Sequence, residues 1–177
     1  LCDGKFVGAA RKMLLPNYGV FDEKRYFTEG DEPARFSLKG SQIGLTICED
    51  IWEDSGPGKT LCKDVDLLLN ISSSPYHKGK GSARRQMIIK RAKNYKCPIA
   101  YVNMVGGQDE LVFDGQSLVV DVQGKIKAQG NSFEEEIIYS DVNLPCKMQK
   151  GKVKGIRSYR ALLSKSKARK IPQLPAC

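Results

Sequence analysis

Gln42-Ile43-Gly44-Leu45-Thr46-Ile47-Cys48-Glu49-Asp50-Ile51-Trp52 is the stretch on which the reading of this chain turns. Positions 42 to 47 alternate well enough to predict a strand, and Glu-Asp-Ile-Trp-Glu-Asp then supplies the acidic first turn of a helix. The strand therefore ends on a thiol. A cysteine at such a junction stands near the positive end of a helix dipole, which favours thiolate over thiol and makes Cys48 a candidate nucleophile. The competing reading is a small buried hydrophobe. Neighbouring segments have to decide between the two.

Downstream, Val65 to Ile71 is a continuous apolar run of strand length, the pattern of a strand covered on both faces. Residues 82 to 96 predict the clearest helix, opening on Ser82 as N-cap, with Met87, Ile88, Ala92 and Tyr95 on one face and basic residues opposite. Pro98 to Met104 predicts another buried strand. Residues 110 to 120, 125 to 129 and 135 to 142 follow as strands, the first two joined by a turn at Asp121 to Gly124. A broken helix is expected over 51 to 62, interrupted by Gly56-Pro57-Gly58. Upstream, Phe6 to Lys12 reads as the second arm of a hairpin, and 13 to 36 as an ordered loop of the kind that carries function. Strand and helix alternate first and strands dominate later, so the fold class is α/β, a sheet with at least one helix-covered face.

The chain has 177 residues and a formal net charge of +9, but the charge is confined to one end. Residues 146 to 177 hold ten Lys or Arg and no acid, which leaves 19 basic residues against all 20 acidic ones before them. Nucleic acid is thus an unfavoured partner, and the tail reads as a solvated linker. Six cysteines without a C-x-x-C pair, and one histidine, offer neither a zinc site nor a thioredoxin-like motif. The sequence lacks an apolar run long enough to cross a bilayer and lacks a signal-peptide pattern. The expectation is a cytoplasmic protein with reduced thiols and no membrane contact.

A cysteine nucleophile needs a base, an oxyanion stabiliser and a pocket. Lys12 ends a predicted strand and, desolvated beside a thiol, could balance negative charge on a tetrahedral intermediate. His77 is the only candidate for a Cys-His dyad. Gly58-Lys59-Thr60 imitates the end of a phosphate loop, but Glu53 occupies the position of its first glycine.

Four blocks lift the ambiguity. They are Lys12-x-x-Leu15-Pro16-Asn17-Tyr18-Gly19-Val20-Phe21-Asp22-Glu23-x-Arg25-Tyr26-Phe27; Gly44-x-x-Ile47-Cys48-Glu49-Asp50-x-Trp52; Asn70-x-Ser-x-Ser74-Pro75-Tyr76; and Tyr101 to Ser117 with its Gly106-Gly107-Gln108-Asp109-Glu110 core. In this order they resemble the glutaminase domain of glutamine-dependent NAD synthetases, a branch of the nitrilase superfamily of carbon-nitrogen hydrolases. The resemblance implies a nitrilase-like α-β-β-α sandwich with its N-terminal part missing, over a partial amidohydrolase domain of residues 1 to 143. Residues 144 to 177 would then be a basic tail or linker toward an absent synthetase domain.

The resemblance further implies a Glu-Lys-Cys triad in which Cys48 is the nucleophile and Lys12 stabilises the oxyanion. It gives Tyr18, Phe21, Glu23, Glu49, Ser74 and Lys80 to glutamine binding, with Lys80 as partner for the α-carboxylate. Arginine would be the better bidentate clamp there. The triad glutamate is expected upstream of Lys12, where residues 1 to 11 hold none, so the chain alone is expected to be inactive. The resemblance gives this domain neither cofactor nor metal; ATP and magnesium go with the synthetase domain, the recipient of ammonia. It also implies homo-oligomers. Two alternatives stay open: a nitrilase-type amidase for another small amide, and a non-catalytic module with a nucleic-acid-binding tail.

Overall fold

The computed structural model describes residues 4, 6, 8–38, 40–144 and, within the basic tail, the backbone of Ser158–Arg160. Its strands are β1 (Ala34–Leu38), β2 (Ser41–Ile47), β3 (Leu67–Ser72), β4 (Ile99–Asn103), β5 (Val105–Gln108), β6 (Leu111–Asp114), β7 (Leu118–Val120), β8 (Ile126–Gln129) and β9 (Ser158–Arg160). The helices are α1 (Pro57–Leu61) and α2 (Lys80–Tyr95), and short 3-10 turns span Glu23–Arg25 and Cys48–Ile51. None of the described helices is long and apolar enough to cross a membrane.

Seven strands form one sheet in the order β8-β7-β4-β3-β2-β1-β9. Its centre is parallel, because β2–α1–β3 and β3–α2–β4 each cross over through a helix. Its flanks are antiparallel hairpins, β1 with β2 and β7 with β8. The predicted turn at 121 to 124 closes the latter, with Gly124 at φ +80° donating its N–H to the Asp121 carbonyl at 2.9 Å. β5 and β6 form a separate two-stranded ribbon.

The core lies between one sheet face and the helices. Leu68, Ile99, Tyr101, Leu118 and Val120 meet Leu61, Val65, Ile88, Ala92 and Tyr95. At Gly44 a Cβ would stand 3.2 Å from Leu68 Cδ1 and Val65 Cγ2, so the missing side chain is what lets these two core side chains pack over β2. The opposite face carries the register rows Leu45–Leu69–Ala100–Val119 and Ile47–Ile71–Val102. Ile71 and Val102 are 49% and 55% exposed, so among the described residues β3 is covered on one face rather than two.

Several expectations change. Residues 6 and 8–12 form no strand, and 135 to 142 form none either: Ile137 and Tyr139 are 80% and 85% exposed. The stretch 110 to 120 is two strands, interrupted at Gly115 (φ +63°) and Gln116 (φ +55°). β1 begins inside the expected loop, and the helix expected over 51 to 62 reduces to α1. Helix α2 starts at Lys80, two residues before the expected cap, after Gly79 at φ +85°. Its basic residues are not all opposite the core: Arg84 and Arg91 are buried. Arg84 donates to Asp114 Oδ1 at 2.8 Å and to the Gly115 carbonyl at 3.0 Å, and Arg91 donates to the Ile51 carbonyl at 2.9 Å. Each guanidinium is held by oxygen acceptors, the condition under which a buried cation is tolerated. Most of the basic tail lies outside the described residues; its one described piece, β9, pairs in parallel with β1.

Candidate functional site

Cys48 is a free, half-buried thiol at the strand end where the chain leaves β2. Its φ of +47° is in the left-handed region, which costs a side-chain-bearing residue about 1–2 kcal/mol. The turn that follows is only four residues long and 3-10 in type, so the helix macrodipole expected from sequence is not developed. What holds the turn is side-chain bonding. Asp50 accepts the Ile47 N–H at 3.0 Å, and Asn70 Nδ2 lies 3.5 Å from the Cys48 carbonyl. Asn70 in turn bridges Thr46 and Ser72, which joins the ends of β2 and β3 next to the Cys48 turn.

Two cavities meet at Cys48. The first, about 570 Å³, is walled by Leu15, Phe21, Phe27, Ile47 and Ile71, with Lys12 and Glu23 as its charged groups beside Arg11. Lys12 Nζ donates to both carboxylate oxygens of Glu23, at 2.6 and 2.5 Å. The lysine side chain is 14% exposed, which makes this a shielded, charge-assisted pair. The second cavity, about 580 Å³, is lined by Tyr18, Phe21, Glu49, Trp52, Ser74 and Lys80 among others. The seven other residues singled out from sequence thus all line a cavity that Cys48 also lines. They divide, with Glu23 standing beside Lys12 rather than with the other binding residues.

On the second side, the Tyr18 hydroxyl donates to Glu49 Oε1 at 2.8 Å. Burial of the hydroxyl, reinforced by that carboxylate, pushes Tyr18 up to about 12, so it remains a donor across the physiological range. The Tyr18 ring meets Phe21 edge-on with centroids 6.0 Å apart. Lys80, at the start of α2, puts Nζ 3.9 Å from the Trp52 ring centroid. Burial and the nearby Arg84 charge hold its ammonium below the ordinary lysine range, against the opposing pull of Glu49 and Cys48. Ser74 is fixed by Asn103, whose Oδ1 accepts the Ser74 N–H at 2.8 Å. His77 borders the same cavity with Nδ1 3.1 Å from the Lys78 carbonyl.

Sequence reasoning missed Asp50, Trp52, Asn70 and Asn103. All lie inside the recognised blocks, but their contacts join segments distant in sequence, and only folding reveals those. The arrangement can offer a thiol to a small electrophile, with a closed ion pair on one side and dispersed groups of both charges on the other.

Comparison with known proteins agrees with this architecture. Residues 2–146 match the model of the carbon-nitrogen hydrolase family. The chain is 49% identical over 144 residues to the glutamine-dependent NAD(+) synthetase of Thermotoga maritima, covering 80% of this chain and 25% of that protein. It thus spans about a quarter of that relative's length. Among solved structures, the glutamine-dependent NAD+ synthetase of Acinetobacter baumannii superposes with a TM-score of 0.73 at 47% identity, covering 76% of this chain and 26% of that one. A carbon-nitrogen hydrolase from Helicobacter pylori superposes at 0.71 with 26% identity, covering 80% and 54%. The fold class is α/β and nitrilase-like, and the chain belongs to the carbon-nitrogen hydrolase family.

Proposed function

We propose that this chain is the glutaminase part of a glutamine-dependent NAD synthetase, releasing ammonia from the side-chain amide of glutamine. The Cys48 sulfur bonds to the amide carbon and the carbonyl electron pair moves onto oxygen, where the Lys12 ammonium balances the charge. Collapse breaks the carbon–nitrogen bond; nitrogen takes a proton and leaves as ammonia, and a γ-glutamyl thioester remains. Water then adds to the thioester, glutamate departs and the thiol is restored. The proton carrier is the triad glutamate that the resemblance puts upstream of Lys12. Glu23 keeps the ammonium aimed, while Tyr18 and Phe21 flank the substrate chain.

The observation that carries the reading is the meeting of two unlike cavities at one thiol. The second has the complement for an amino-acid zwitterion: Lys80 and Ser74 for the α-carboxylate, Glu49 for the α-ammonium. That complement favours glutamine over an uncharged small amide, the substrate of the amidase alternative. The ammonia would pass to a synthetase domain that uses ATP and magnesium to amidate nicotinic acid adenine dinucleotide.

A diazoketone analogue of glutamine tests this directly. Mass spectrometry should find one adduct, on Cys48, and excess glutamine should protect it. The full-length protein should release ammonia from glutamine; hydrolysis of other ω-amides but not of glutamine would sink the proposal in favour of the amidase.

A further inference from the structure

Asp50 is 2% exposed, and all three of its described hydrogen bonds go to backbone N–H groups. Oδ2 accepts from Ile47 at 3.0 Å, satisfying the backbone donor of the residue just before the turn that carries Cys48. Capping that N–H needs no more than this. Oδ1 turns the other way and accepts from Met13 at 3.0 Å and Leu14 at 2.8 Å, residues 37 and 36 positions earlier. The Met13 N–H belongs to the same peptide unit as the Lys12 carbonyl, and that carbonyl accepts the Gly30 N–H at 2.8 Å. The peptide unit leaving Lys12 is therefore gripped at both poles. The far end of the Cys48 turn is anchored separately, through the Ile51 carbonyl and Arg91 of α2.

We propose that Asp50 is a positioning residue whose single buried carboxylate ties the Lys12 peptide unit to the strand end before Cys48, fixing how the ammonium faces the thiol. The inference rests on the reading of Lys12 and Cys48 as the reacting pair. Among the described residues Lys12 stands in a segment with no ladder of its own, and the other described partner of its peptide unit is the Gly30 N–H. Burial pushes the Asp50 carboxyl up, while the three N–H groups and the Lys12 charge pull it back toward ionisation. The carboxylate form matches the geometry, because all three partners are donors. An amide cannot replace it: one of its two ends is itself a donor and must face an N–H.

Asp50→Asn in the full-length protein tests this, beside Lys12→Met and Cys48→Ala. The expected result is a kcat for glutamine lowered about 10- to 100-fold per alkylatable Cys48, with KM within about threefold, the signature of misplaced reacting groups. Faster amide hydrogen exchange at Met13 and Leu14, or at Ile47, should accompany it. A kcat within about twofold of the parent, while Lys12→Met loses about 100-fold, would overturn the positioning role and leave the reacting pair intact. Unchanged kcat in Lys12→Met and Cys48→Ala overturns the pair and this inference with it. Hydrogen exchange on the unsubstituted protein gives an answer even where Asp50→Asn fails to fold: Met13 and Leu14 amides exchanging at unprotected loop rates would remove the bridge.

Discussion

The two cavities that share Cys48 are nearly equal in volume and differ in how they hold their charges. On the Lys12 side the central ion pair is shielded and closed on itself; the Lys80 side spreads Glu49, Glu53 and Lys80 over its wall. A low-dielectric recess amplifies the few charges it holds, which suits stabilising charge that develops during a reaction. A wall of dispersed polar groups suits recognising charges that a ligand already carries. The difference separates making the bond from holding the substrate, and it can be broken at either side or at the thiol between them.

The thiol comes first. Cys48→Ala should abolish ammonia release, a fall of at least about 10⁴-fold in kcat, while glutamine still binds, because the second cavity keeps its charges. Calorimetric titration against turnover reads both; loss of binding with loss of turnover would deny the division. Lys12→Met should lower kcat about 10²- to 10³-fold with little change in KM, the loss expected for one oxyanion-stabilising group. It also leaves Glu23 in the recess without its cation. Lys80→Met should do the reverse, raising KM about 10- to 100-fold, the worth of a charge-assisted bond, with kcat within a fewfold.

Titration sharpens the same contrast. Lys80 releases its proton below the ordinary lysine value, so rising pH removes the α-carboxylate partner early and KM should climb before pH 10.5 is reached. Tyr18, pushed up to about 12, stays protonated throughout and cannot be the cause. Stability moves the other way. The folded state holds the Lys80 proton less firmly than the unfolded chain, so this residue's contribution is present above the unfolded value and is lost as pH falls through the folded one. Lys80→Arg should flatten the alkaline rise in KM, which separates it from titration of the substrate's own amino group. A rise of equal steepness in that variant would assign the effect elsewhere.

How far the sequence reached can be argued from particular segments. β2, β3, β4 and α2 were legible because each is an apolar run or stripe whose period belongs to one kind of element. β5 was not: Val105-Gly106-Gly107-Gln108 has little strand propensity, and its pairing with β6 makes it a strand. Residues 135 to 142 failed in the opposite sense, having strand-like residues but no described strand to pair with. At the site, seven of the eight residues could be named because they sit in recognisable blocks, and Lys80 because it follows the third block by four residues. The grouping of Glu23 with Lys12, and the three-way reach of Asp50, depend on contacts across 11 and 36–37 residues, which no local pattern encodes.

The finest prediction concerns the ring under Lys80. Trp52 closes the Cys48 turn by donating its N–H to the Glu49 carbonyl at 2.9 Å, and its indole lies 3.9 Å from the Lys80 ammonium. One residue therefore serves both the Cys48 turn, through its backbone, and the second cavity, through its side chain. Only the side chain changes in Trp52→Leu. The backbone bond remains and the reacting groups keep their places, while the ammonium loses a π face worth on the order of 0.5–1 kcal/mol. KM for glutamine should rise about two- to fivefold at constant kcat. An equal fall in kcat would mean that the indole also shapes the turn, and the two sides of Cys48 would be mechanically joined through Trp52 rather than separable.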